Sequence, residues 1–72
     1  MRKEDSIKIF ICNVHRLRLR EGLSLTELGR RSHVPLWMLA ELEQGRLPKE
    51  MMVTDAFHLA KVFHCQVHEL FQ

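Results

Sequence analysis

The stretch Ser24 to Gly45, SLTELGRRSHVPLWMLAELEQG, constrains this chain more than any other. It reads as two short helices joined by a tight turn. Ser24-x-x-Glu27 is a capping box: the Ser hydroxyl accepts from the Glu27 N–H while the Glu carboxylate reaches back to the Ser24 N–H. Leu23 and Leu28 have the spacing of a hydrophobic staple across the same start. The helix they open runs to Ser32. Gly29 inside it costs on the order of 1 kcal/mol against Ala, which makes sense where another helix crosses closely. His33 is the turn, because His is among the non-glycine residues that tolerate a left-handed backbone. Val34 turns inward, and Pro35 fixes φ at a helix entry where no N–H is needed. The second helix covers about residues 36–44, with Leu39 and Leu42 inward, and Gly45 closes it.

The flanks read as further helices. Ile7, Phe10, Ile11, Val14 and Leu17 recur at steps of three and four, one face of a helix over residues 6–20. Asp5 or Ser6 can cap its start, and Gly22 ends it in a left-handed conformation. Pro48 breaks the connection 46–52. Thr54 caps a fourth helix through His64, with Ala56, Phe57, Leu59, Ala60 and Phe63 apolar. Val67, Leu70 and Phe71 form a last short turn. Nothing has strand periodicity, and there is no internal repeat. The expectation is one all-α domain over residues 1–72 with five helices.

Seventy-two residues must place nearly all their apolar side chains in one core or share a core with a partner. Apolar runs are only a few residues long, so no membrane span is expected. MRKEDS has no apolar signal core, so the chain is expected to be cytoplasmic, with Cys12 and Cys65 as reduced core or half-core thiols. Net charge is +2, unevenly spread: residues 1–31 carry +4 and residues 32–72 carry −2. The basic charge therefore precedes and flanks the second helix of the central stretch.

In order, Asn13-Val14-His15-Arg16-Leu17-Arg18, Gly22-Leu23-Ser24, Glu27-Leu28, Val34, Leu39 and Leu42-Glu43-x-Gly45 resemble the phage-repressor-like helix-turn-helix family, the Cro/C1 or XRE type. The tail Leu59-Ala60-Lys61-x-Phe63-x-Cys65-x-Val67-x-Glu69-Leu70-Phe71 looks like that family's closing helix and terminal turn. The resemblance covers about residues 9–71. It implies a five-helix phage-repressor-like fold whose helix-turn-helix, about residues 24–45, sets its third helix in the major groove of double-stranded DNA. It further implies a partly buried ion pair, Arg18 with Glu43. The function implied is a small bacterial or phage-like, sequence-specific transcriptional regulator.

The residues complicate that implication. Leu25 stands where the family often has Gln, His33 where it usually has Gly, and Pro35 where it has a polar cap. The connection after Gly45 is longer. The outward positions matching the family's base readers are Leu36, Trp37, Ala40 and Glu41, with Gln44 following. Arg reads guanine, and Asn or Gln reads adenine. Here only Gln44 qualifies, while Leu36, Trp37 or Ala40 can touch thymine methyls and Glu41 can accept from cytosine N4. Phosphate contacts fall to Arg30, Arg31, Arg46 and Lys49, and to the start of the second helix at Ser24, Leu25 and Thr26. The alternative is a same-fold module that has lost DNA readout and binds a protein partner through Leu36, Trp37 and Met38, or a Trp37 folded back over the core.

A homodimer is expected for the regulator, because one module reads few base pairs. Val67, Leu70 and Phe71 are the candidate dimer surface, unless they close the monomer core. Cys12 with His15, and His58, His64, Cys65 and His68, do not converge as four zinc ligands should. No metal, cofactor or catalytic set is expected, and the chain does not read as an enzyme.

Overall fold

The computed structural model describes residues 2–72, the side chain of Lys3 excepted; Met1 of the expected 1–72 domain lies outside them. The chain is all-α, with four α-helices and no strand among the described residues. They are α1 (Lys3–Arg20), α2 (Leu25–Ser32), α3 (Leu36–Glu43) and α4 (Val53–Val62). The expected fifth helix is a 3-10 turn, Val67–Phe71.

Two helix starts differ from expectation because backbone and carboxylate groups do the capping. α1 begins earlier, after Arg2, whose carbonyl accepts from the Asp5 and Ser6 N–H groups. Glu4 and Asp5 then lie in the first turn, where the helix dipole favours negative charge. α4 follows Met52, and Thr54 is already inside it. The capping group is the Asp55 carboxylate, which accepts from the Met52 N–H at 2.8 Å. Three helix ends share one solution. At Gly22 (φ 69°), Gly45 (φ 83°) and His64 (φ 58°) the chain turns left-handed, and paired N–H groups return to the last helical carbonyls.

The core is one cluster: Phe10, Val14 and Leu17 from α1, Leu28 from α2, Met38, Leu39 and Leu42 from α3, Ala56, Leu59 and Ala60 from α4, joined by Leu23, Val34, Phe63 and Leu70. α2 packs on α3 and α4, and α1 on α3 and the terminal turn. Phe57, expected in the α4 stripe, is half exposed beneath the Lys61 ammonium, 5.4 Å from its ring centre. Cys12 is exposed, and Cys65 is half-buried against the core.

Two buried polar side chains complete the packing. Asn13 donates its Nδ2 to the carbonyls of Leu70 (2.9 Å) and Gln72 (3.1 Å), fastening the chain's end to α1. Ser32 donates its hydroxyl to the Leu28 carbonyl at 2.7 Å and accepts from the Val34 N–H at 3.2 Å. It thereby supplies the turn after α2 with a partner that no helix can. Ser32→Ala leaves the Val34 N–H unpaired in the core and should lower stability by about 1–3 kcal/mol. Urea unfolding measures this, and an unchanged midpoint would show that the hydroxyl does not hold the turn.

Candidate functional site

The site is built on the corner between α2 and α3. Ser24 caps α2 by accepting from the Glu27 N–H at 3.0 Å. The reciprocal half of the expected capping box is replaced, because the Glu27 carboxylate turns to Arg30 and to Arg31, the latter at 3.0 Å. His33 takes the left-handed conformation (φ 62°, ψ 18°) and ends α2. The corner is tight at Gly29, where a Cβ would lie 3.2 Å from the Val34 carbonyl oxygen and 3.5 Å from Leu39. The close approach expected there is made by the turn and by α3.

α3 has two faces. Met38, Leu39 and Leu42 are buried, and Met38 at 7% exposure is therefore removed from the proposed partner-binding face. Leu36, Trp37, Ala40, Glu41 and Gln44 recur at alternate steps of one and three residues, which places them on the opposite side. Leu36 is 49% exposed and Trp37 51%, so Trp37 does not fold back over the core. Ala40 and Glu41 are half-buried and Gln44 is exposed.

The polar groups of that outer face are engaged locally. Arg46, just past the end of α3, donates to the Glu41 carboxylate at 2.7 Å and to the Gln44 side-chain oxygen. The Glu41 bond also raises the Arg46 pKa above its ordinary value. Glu27 plays the same part on α2, where hydrogen bonds from Arg31 and then Arg30 hold its carboxyl below the usual range. Arg30, Arg31 and Arg46, three of the phosphate candidates, thus each carry an acidic neighbour. Lys49 is exposed in the α3–α4 connection. Thr26 and Arg30 of α2 line one shallow hollow with Pro35 and Leu36. Phosphate and base candidates therefore meet on one surface. Leu25 packs its side chain against the core, which leaves only its backbone N–H at the start of α2.

Glu43 closes the inner side of α3. Arg18 donates from Nε to Glu43 Oε1 at 2.6 Å and from Nη1 to the Leu23 carbonyl at 2.7 Å. His15 donates from Nδ1 to Glu43 Oε2 at 2.6 Å, a partner that helical spacing alone does not reveal. Burial acts to raise the Glu43 pKa. The hydrogen bonds from Arg18 and His15 outweigh it, and the carboxyl lies below its ordinary value.

Of the three candidate dimer residues, Leu70 is fully buried, and Phe71 stacks on Phe10 with ring centres 4.9 Å apart, so the terminal turn packs on the core. Val67 is half-buried against the same core. A second exposed apolar surface, missed in the sequence because two of its residues lie in an irregular connection, consists of Leu47 and Met52 with Val53 at the start of α4. They border a groove of about 160 Å³ floored by Phe10, Ala56 and Phe71. No cluster of three or more His, Cys, Asp or Glu among the described residues is placed to hold a metal ion. No helix among them is long and apolar enough to cross a membrane.

Comparison of the chain with protein-family profiles, with curated proteins and with solved structures found no match.

The Glu43 pairing has a defined pH signature. A carboxyl depressed in the folded state contributes stability that is present above its unfolded pKa and is lost as pH falls through the folded pKa. Glu43→Gln should cost about 1.5–3 kcal/mol near neutrality, the worth of hydrogen bonds to a charged group. Its deficit against the parent should shrink as pH falls from about 6 to below about 4. A deficit in urea midpoint that stays constant over that range would contradict the assignment.

Proposed function

We propose that this chain is a DNA-binding domain of the helix-turn-helix kind, acting as a small sequence-specific transcriptional regulator. The observation that carries this reading is the α2–α3 corner. A capped α2, a left-handed His33 and a tight contact at Gly29 hold α3 with its outer face uncovered. An α-helix is about 10–12 Å across with its side chains, which suits a major groove about 12 Å wide.

On this reading the start of α2 sits over a phosphate, with the Ser24–Thr26 backbone at the positive end of the helix. Arg30, Arg31, Arg46 and Lys49 follow the backbone to either side, and the outer face of α3 meets the bases. The domain acts as a homodimer, since one short helix reads too few base pairs for a unique site. Leu47, Met52 and Val53 give a second copy an apolar surface, which Leu70 does not.

The reading is tested by binding to a duplex of mixed sequence across a range of salt. With about four phosphate contacts per copy, log K should fall against log salt with a slope of about −3.6 for one bound copy and about −7 for the dimer. Absence of binding at low salt would overturn it.

A second reading has one observation in its favour: the exposed Leu36–Trp37 pair, since Trp is a frequent anchor of protein interfaces. In that case α3 docks on a protein. Trp37→Ala would then abolish the partner complex while leaving unfolding unchanged. On the DNA reading, the same substitution weakens binding to a selected duplex.

A further inference from the structure

Resting on the DNA reading, we infer that α3 recognises thymine methyl groups rather than the hydrogen-bonding edges of the bases. The outer face of α3 presents two strongly exposed groups at its start, the Leu36 and Trp37 side chains, and both are apolar. Ala40, one turn on, adds a methyl between them and the helix end. The polar members of the face, Glu41 and Gln44, already serve as acceptors for Arg46. The face carries no arginine, asparagine or lysine, and its one adenine reader, Gln44, has its side-chain oxygen engaged by Arg46. In the major groove the one apolar feature is the C5-methyl of thymine, and its partners are apolar side chains.

Charge leans toward a nucleic-acid occupant for this face. The apolar strip is bordered by Arg30 and Arg31 on α2 and by Arg46 at the far end of α3, all exposed, and these three cations outnumber their partners Glu27 and Glu41 by one. Thr26, Arg30 and Leu36 share one concave surface. An apolar strip between cationic margins matches a groove whose floor carries methyls and whose walls carry phosphates. The preferred half-sites are then rich in thymine at the positions facing Leu36, Trp37 and Ala40. Discrimination there comes from buried methyl area, with each methyl contributing about fourfold in affinity.

The experiment begins with in vitro selection from a randomised duplex pool using the whole chain. The affinity of an enriched duplex is then compared with that of the same duplex carrying uracil for thymine, which removes only the methyl. Enriched sites should hold thymine at two or more positions. Uracil at those positions should weaken binding about fourfold each, whereas uracil in the flanks should have no effect. The double variant Leu36→Ala with Trp37→Ala alters exposed side chains only. It should bind the selected duplex more weakly and lose the thymine–uracil difference at the positions facing residues 36 and 37, while the salt dependence carried by the arginines remains. Equal affinity for the thymine and uracil forms would overturn the inference while leaving the DNA reading intact, as would a difference that persists at those two positions in the double variant. If no duplex is bound at any salt, the DNA reading fails and the inference fails with it.

Discussion

The placement of α3 depends on one carboxylate. Glu43 receives Arg18 on one oxygen and His15 on the other, both from α1, while Arg18 also holds the Leu23 carbonyl just before α2. These contacts join α1, the entry to α2 and the end of α3. Arg18 and Glu43 are mostly shielded from water, with side-chain exposures of 15% and 19%. Such a pair is sensitive to loss of one partner, because the remaining charge stays desolvated. Buried Met38, Leu39 and Leu42 turn the apolar side of α3 inward, and the directional bonds to Glu43 fasten its end to α1 in that orientation.

The outward face differs from what net charge suggests. Carboxylates neutralise the arginines nearest the corner, Glu27 beside Arg30 and Arg31, and Glu41 beside Arg46. These exposed pairs add little stability. Their effect is to temper the positive field around α3 and to hold the long side chains in place. On the proposed DNA reading, a duplex phosphate would compete with those carboxylates, which favours affinity built on shape and methyl contact over affinity built on charge alone.

Local cues in the sequence reported most of the fold. The Ser24 cap, the turn at His33, the inward Val34 and the stripe Phe10, Val14 and Leu17 all depend on neighbours within about one helical turn, so spacing reveals them. The long-range polar contacts were not legible in this way. Asn13 finds its acceptors at Leu70 and Gln72, near the other end of the chain, and His15 finds Glu43 on another helix. The Arg18–Glu43 contact was named through a resemblance, not through periodicity. Spacing alone leaves the terminal turn open between a dimer surface and closure of the core, because it does not show that Asn13 and Phe10 draw Val67, Leu70 and Phe71 onto α1. Exposure of Leu36 and Trp37 could be decided only once Met38, Leu39 and Leu42 had filled the space beneath α3.

The central claim is that the outer face of α3, with the start of α2, is the surface that meets a duplex. Amide chemical-shift mapping by NMR during titration with a short mixed-sequence duplex at low salt tests it most directly. Perturbations are predicted at Ser24–Thr26, at Leu36, Trp37 and Ala40, and at Arg46, with the terminal turn from Val67 to Phe71 unaffected. Perturbations concentrated on α1 and the terminal turn, or none at all, would contradict it.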